Sequence, residues 1–178
     1  MKTQRIKLLI ALFLTSACAF AAGPDTNSVS RSAAESAFAR LKGLAGEWQA
    51  VDAKGQKSTL NYRIVSAGSA VLEQFRSDAL PPGGEMVTVY YLDGGQLVLT
   101  HYCMAKNQPH LRATRYNPAS GELDFDFVSA GNMSSPSDGH MHSAKIHFID
   151  GDHLSSDWQF VENGAPKFTE TAQYTRVR

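Results

Sequence analysis

The sequence predicts an all-β protein: an up-and-down antiparallel barrel of about ten strands with one N-terminal helix. Two observations lead to this fold class. After residue 46, segments of roughly 6 to 10 residues rich in Val, Tyr, Phe and Thr alternate with short turns rich in Gly, Asn, Asp and Pro. Sequential antiparallel strands also leave two exposed edges unless the sheet closes, and closure into a barrel removes both.

Residues 1–21 have the composition of a secretory signal peptide. Its basic start consists of Lys2, Arg5 and Lys7. A short apolar stretch follows, and Ala19-Phe20-Ala21 matches an A-x-A cleavage site. We therefore expect cleavage near Ala21, a mature chain that begins at about Ala22, and export to the periplasm or beyond. The apolar stretch is too short to span a bilayer, so no transmembrane segment is expected after cleavage.

The cysteines and the charge balance limit the remaining possibilities. An alternative to cleavage at Ala21 is a lipoprotein acylated at Cys18, although Thr15 stands where a lipobox usually has Leu. After cleavage only Cys103 remains, so no intramolecular disulfide is expected. The full chain has 17 basic and 17 acidic residues, and loss of the basic signal leaves a mildly acidic protein, which argues against nucleic acid as a partner. About 157 residues then remain, enough for one domain.

The mature chain is predicted to open with a disordered leader at 22–31 and to form one barrel domain over 32–178. A helix starts this domain, because Ser32 and Glu35 have the spacing of a capping box. Its apolar positions recur with helical spacing at Ala34, Ala37, Phe38, Leu41 and Leu44. Gly43 or Gly46 is expected to end the helix.

The last third of the chain contains a hairpin for which a register can be predicted, with Asp150-Gly151-Asp152 as its loop. The predicted pairs on one face are Phe148 with Leu154, Ile146 with Ser156, Ala144 with Trp158, and His142 with Phe160. Those on the other face are Lys145 with Asp157 and His147 with Ser155. One face is therefore apolar and the other charge-paired, as a barrel wall requires, with His142 inside and His147 outside.

A second hairpin, over 86–104, turns at Gly94-Gly95. The pairs predicted to face inward are Tyr90 with Leu99, Thr88 with His101, and Met86 with Cys103. This face mixes large apolar groups with a few polar ones, as ligand cavities do. On the preceding segment, Glu73 shares a face with Val71 and Phe75, which places one carboxylate among apolar neighbours.

Two stretches carry a resemblance to known proteins. Residues 38–48, which end in Gly-Glu-Trp48, resemble the helix-then-G-x-W start of lipocalin-like proteins, whose Trp plugs one barrel end. The stretch 100–109, Thr-His-Tyr-Cys followed by Asn-Gln-Pro, resembles a family of uncharacterised exported bacterial proteins with a calycin or nitrobindin-type barrel. The resemblance implies a cavity-bearing barrel over roughly residues 35–178. The resemblance does not extend to the haem-ligating His of nitrobindin, which has no match in the last strands because residues 168–178 contain no His.

The candidate ligand-binding residues are Glu73, His101, Cys103, Asn107, Gln108 and His142. They combine a carboxylate, imidazoles, a thiol and loop amides within an apolar wall, a pattern that favours a small apolar or amphipathic ligand held by a few polar anchors. The interpretation without a ligand is a buried thiol that packs as a small hydrophobe, a Glu satisfied by Tyr, Arg or amide partners at the barrel end, and amides that hold their own loop. Side chains two apart on a strand lie roughly 6–7 Å apart, too far for a Cys103–His101 nucleophilic pair.

Two other classes of function stay open at this point. His140-Met141-His142 has a spacing seen in metal sites and could act with His101, Cys103 or Glu73 in a metal- or haem-dependent barrel enzyme, although no spacing fixes a third ligand. The protein could also be an envelope interaction protein with a filled core. The sequence assigns no catalytic residue, metal or cofactor, and no oligomeric state.

Overall fold

The structure is a computed structural model that describes residues 28–178; the predicted signal peptide and most of the predicted leader lie outside the described residues. In chain order the elements are α1 (Arg31–Lys42), β1 (Gly46–Val51), β2 (Lys57–Val65), a 3-10 turn (Ser66–Gly68), β3 (Ala70–Ser77), β4 (Met86–Asp93), β5 (Gln96–Tyr102), β6 (Gln108–Asn117), β7 (Glu122–Gly131), β8 (His140–Phe148), β9 (His153–Glu162) and β10 (Ala165–Arg176). The strands pair antiparallel in sequence order, and β1 pairs with β10 to close a barrel. The predicted fold class is confirmed.

The helix begins earlier than the sequence predicts. Ser30, rather than Ser32, is the N-cap: its backbone is extended and its hydroxyl accepts from the amide of Ala33 at 3.3 Å. The prediction of a capping box from Ser32 and Glu35 is therefore wrong, because both residues lie inside the helix. The end of the predicted disordered leader is ordered, since Val29 packs against the core and donates its amide to a β6 carbonyl. The predicted apolar face and the stop at Gly43 are confirmed.

One barrel end is closed by the helix and Trp48, a side chain with no exposed surface. The Trp48 indole N–H donates to the carbonyl of Leu44 at 2.7 Å, and the Arg176 guanidinium lies 4.2 Å from the ring centre. Arg176 also donates to the carbonyls of Ala45 and Gly43, at 2.8 and 3.0 Å. The seam between β1 and β10 is only two residue pairs long, so these contacts tie the last strand to the helix end.

The β8–β9 hairpin has the predicted register except at one place. The predicted pairs from Phe148–Leu154 to Ala144–Trp158 form, on both faces. A β-bulge between Met141 and Ser143 then shifts the strand, so that Met141 rather than His142 pairs with Phe160. The prediction that His142 faces inward is therefore wrong. The bulge adds one residue to β8, so the side chains beyond it, counted from the hairpin loop, project to the opposite faces from those predicted.

The β4–β5 hairpin also matches the prediction over most of its length. Thr88 pairs with His101 and Tyr90 with Leu99, and these side chains are buried. The predicted pair of Met86 with Cys103 does not form, because β5 ends at Tyr102 and the chain turns: the Cys103 amide donates to the carbonyl of Asn107. The loops at 78–85, 103–107 and 132–139 surround the barrel end opposite the helix.

Candidate functional site

A narrow cavity of about 40 Å³ lies inside the barrel. It is lined by Leu60, Glu73, Phe75, Met86, His101, Met141, Ser156, Trp158, Glu170, Ala172 and Tyr174. Phe75, Met86 and Trp158 are only partly buried, and Glu170 is exposed, so the cavity opens toward the barrel end that the helix leaves free. A space of this size admits water or a head group of a few atoms.

Four polar side chains of the interior form a row that crosses four strands. Tyr62 on β2 pairs with Glu73 on β3, Glu73 with Thr88 on β4, and Thr88 with His101 on β5. Directly opposite residues on neighbouring strands project to the same face, so the register alone brings these groups together inside the barrel. We call Tyr62, Glu73, Thr88 and His101 the polar row.

Glu73 accepts hydrogen bonds from three hydroxyl groups and is 4% exposed. Tyr90, two positions beyond Thr88 on β4, donates to Oε2 at 2.7 Å, Thr88 lies 3.4 Å from Oε1, and Tyr62 is the third partner. Burial raises the pKa of Glu73, while the three hydroxyl groups oppose that rise by stabilising the ionised form. The expectation of a carboxylate held by hydroxyl partners agrees with this arrangement.

His101 sits at the end of the polar row and borders the cavity. Its Nδ1 is 3.0 Å from the Thr88 hydroxyl, and its ring centre is 4.8 Å from that of Trp158. Burial lowers the pKa of His101 to about 4, because the apolar surroundings disfavour the imidazolium. The imidazole is therefore neutral near pH 7.

The loop residues of the predicted site lie away from this cavity. Asn107 is buried, and its amide donates to the carbonyl of Gly139 at 2.8 Å, which ties two rim loops together. The Gln108 side chain packs beside Gly131 on the neighbouring strand β7. Cys103 stays a free, half-buried thiol, and burial raises its pKa. None of the three lines the cavity.

His142 lies in a separate surface groove at the rim. Its ring stacks on Phe127, with centres 5.2 Å apart, and its Nδ1 is 3.0 Å from Nε2 of His140. Burial, followed by the neighbouring His140, lowers the pKa of His142. The predicted neighbours His101, Cys103 and Glu73 do not line this groove.

The structure does not bring together the ligand set that the metal-dependent alternative needs. Within residues 28–178, no group of three or more His, Cys, Asp or Glu side chains is placed to hold a metal ion. The cavity beside His101 has a volume of about 40 Å³, far below the roughly 300 to 1,000 Å³ of pockets for drug-sized ligands, so it does not admit a haem.

Sequence reasoning identified two of the residues that meet at the cavity, Glu73 and His101. It placed Thr88, Tyr90 and Trp158 on the inner face without assigning them to the site, and it did not consider Tyr62. The signal that would have found Thr88 was the hairpin register itself, which sets this hydroxyl opposite His101.

The fold and the cavity together define a closed ten-stranded β-barrel with a polar row along one side of a narrow interior space. No protein-family model matches the chain, and no curated protein matches it. Within residues 28–178, no helix is both long and apolar enough to span a membrane.

Several solved structures are similar to this chain, and they include the following two. A protein of unknown function from the DUF3598 family of Nostoc punctiforme PCC 73102 is 11% identical, with a TM-score of 0.49 over 77% of this chain and 49% of that one. This chain thus spans about half the length of the Nostoc protein. EF1p2_mFAP2b, in a structure bound to DFHBI, is 14% identical, with a TM-score of 0.31 over 80% of this chain and 98% of that one. Similarity at this level assigns no ligand, activity or residue role here.

Proposed function

We propose that this barrel binds a small, largely apolar ligand whose polar end enters the interior cavity. The observation that carries the proposal is the buried His101, whose Nε2 has no hydrogen-bond partner among the described residues although the ring borders a cavity. Buried polar atoms are nearly always paired in folded proteins, so an unpaired nitrogen on a residue that lines a cavity is a ready partner for a polar ligand atom, which would take the place of a water molecule.

The shape of the cavity supports an amphipathic ligand. Its inner part is too small for more than a few non-hydrogen atoms, whereas its mouth is bordered by the partly buried apolar side chains Phe75, Met86 and Trp158. Ala172 adds a small side chain on β10 and leaves space at the wall. A ligand with a polar head and an apolar tail would place the head beside His101 and the tail against these side chains.

Titration with 1-octanol tests this proposal. Binding should change the emission of Trp158, and a ligand at about 100 times its Kd should raise the free energy of unfolding by about 2.7 kcal/mol. Ala172→Phe should abolish both effects, because a large ring at this position fills the mouth. Thr171→Phe is the matched control, because Thr171 is an exposed neighbour absent from the cavity wall, and it should bind as the wild type does. Equal binding by the two variants would refute a site in the cavity.

We also propose that the protein acts outside the cytoplasm, on the strength of the signal-like sequence of residues 1–21. Mass spectrometry of the protein recovered from an exporting host should give an N-terminus near Ala22. Recovery of a chain acylated at Cys18 would instead make it a membrane-anchored lipoprotein, and a chain that still begins at Met1 would contradict export by this signal.

A further inference from the structure

One nitrogen of His101 is satisfied within the protein and the other is not. Nδ1 lies 3.0 Å from the Thr88 hydroxyl, while Nε2 is buried without a hydrogen-bond partner among the described residues. The side chain is 4% exposed, so bulk water does not serve this nitrogen as it would at the surface. His101 is one of the residues that line the cavity, so the cavity is the neighbouring space from which a partner would reach Nε2.

The neighbours of His101 determine which nitrogen carries the hydrogen. The Thr88 hydroxyl has one hydrogen and contacts both Glu73 Oε1, at 3.4 Å, and His101 Nδ1. In the structure Thr88 donates this hydrogen to Oε1, which accepts it when Glu73 is ionised or carries its proton on Oε2, whereas a proton on Oε1 would reverse both bonds. While it donates to Oε1, Thr88 offers only a lone pair to His101, so Nδ1 bears the hydrogen and Nε2 is a bare acceptor.

The charge around the cavity disfavours an anionic head group. Among the described residues, the cavity wall contains two acidic side chains, Glu73 and Glu170, and no Lys or Arg. Because burial lowers the pKa of His101 to about 4, the ring offers no compensating positive charge near pH 7. A carboxylate would meet an acceptor lone pair and two acidic groups, whereas a neutral hydroxyl would find an acceptor.

We infer that the cavity selects ligands whose polar end is a neutral hydrogen-bond donor, an O–H or N–H group that donates to Nε2 of His101. This inference rests on the proposed function and adds the chemical class of the ligand to it. Thr88 is a positioning residue in this arrangement, because it fixes the tautomer of His101 through its bond to Glu73 and does not line the cavity itself.

Three probes that share an eight-carbon tail test the inference: 1-octanol, its methyl ether and octanoate. Their Kd values can be compared at pH 7.5 through the emission of Trp158, whose ring contacts His101. The alcohol should bind about tenfold more tightly than the ether, the equivalent of one buried hydrogen bond of about 1.4 kcal/mol. Octanoate should bind more weakly than the alcohol.

Variants separate the hydrogen bond from simple packing. His101→Phe keeps a ring of similar shape without an acceptor, so the alcohol and the ether should then bind within about twofold of each other. Thr88→Val removes the hydroxyl that fixes the tautomer and should also reduce the preference for the alcohol. Thr88→Ser keeps the hydroxyl and should retain the preference, an outcome that a purely structural role for Thr88 would not require.

Each alternative result has a distinct meaning. Equal binding of alcohol and ether by the wild type would overturn the inference and leave the proposed apolar-ligand site standing. Tighter binding of the ether or of octanoate would also overturn it, because Nε2 would then act as a donor. Failure of all three probes to bind would overturn the proposed function and the inference together.

Discussion

Trp48→Ala should lower the free energy of unfolding by about 3–5 kcal/mol, the usual cost of truncating a fully buried Trp. The indole has no exposed surface, and its removal takes away three things at once: the apolar volume under α1, the N–H bond to Leu44, and the surface on which Arg176 lies. The carbonyl of Leu44 loses a partner, which adds a desolvation cost. Chemical denaturation followed by circular dichroism measures the change.

The control for this prediction is Trp48→Phe. It keeps an aromatic ring in the plug and loses the indole N–H, so the loss of stability should be clearly smaller than for Trp48→Ala. Because the β1–β10 seam has only two residue pairs, Trp48→Ala should also expose the β1 and β10 amides to hydrogen exchange before those of β4 and β5. An alanine variant as stable as the wild type would mean that the helix and the Trp do not hold this barrel end closed.

The barrel could be predicted because its signals are local. Turn residues such as Gly94-Gly95 determine where the strands begin and end. The alternation along Thr88, Tyr90 and their partners determines which side chains project into the barrel. Both signals lie within a few consecutive residues. The helix start could not be predicted from residue type alone, because Ser30 and Ser32 are both suitable N-cap residues. The structure selects Ser30, where Val29 can also pack on the core.

The parts of the site that could not be predicted depend on longer-range geometry. The bulge between Met141 and Ser143 inserts one residue with no turn signal in the sequence, and it moves His142 out of the pairing that strict alternation predicts. Asn107 finds its partner at Gly139, 32 positions along the chain, through loop packing that no local rule supplies.

The assembly of the polar row could also be predicted only in part from the sequence. The pairing of Thr88 with His101 follows from a tight turn and was predicted, but Glu73 reaches Thr88 only through the β3–β4 register. These strands are joined by residues 78–85, which include Pro-Pro-Gly-Gly, and no turn rule fixes a register across a loop of that length. The sequence therefore contains all members of the row, whereas their meeting inside the barrel depends on the pairing register from β2 to β5.

His101 should make the stability of the protein fall with acidification more steeply than in a His101→Asn variant. Unfolded His101 takes up a proton below about pH 6.5, whereas the folded side chain stays neutral until about pH 4. A base whose pKa is lowered by folding binds its proton more tightly in the unfolded chain. The contribution of the neutral side chain to the free energy of unfolding is therefore complete above pH 6.5 and is lost as the pH falls toward 4. Between pH 6.5 and 4, the wild type should therefore lose roughly 3 kcal/mol more of its free energy of unfolding than His101→Asn.

Urea unfolding of the wild type and His101→Asn between pH 7.5 and 4 measures this difference. Asn can keep a bond to Thr88 through its amide and does not titrate, so the carboxylates and other histidines contribute equally to both proteins. His142→Gln serves as the comparison: its pKa is also lowered, but its ring is more exposed, and the slope should change much less. If wild type and His101→Asn lost stability in parallel, His101 would be solvated or charged in the folded barrel. The neutral acceptor at the cavity, on which ligand selection depends, would then not exist.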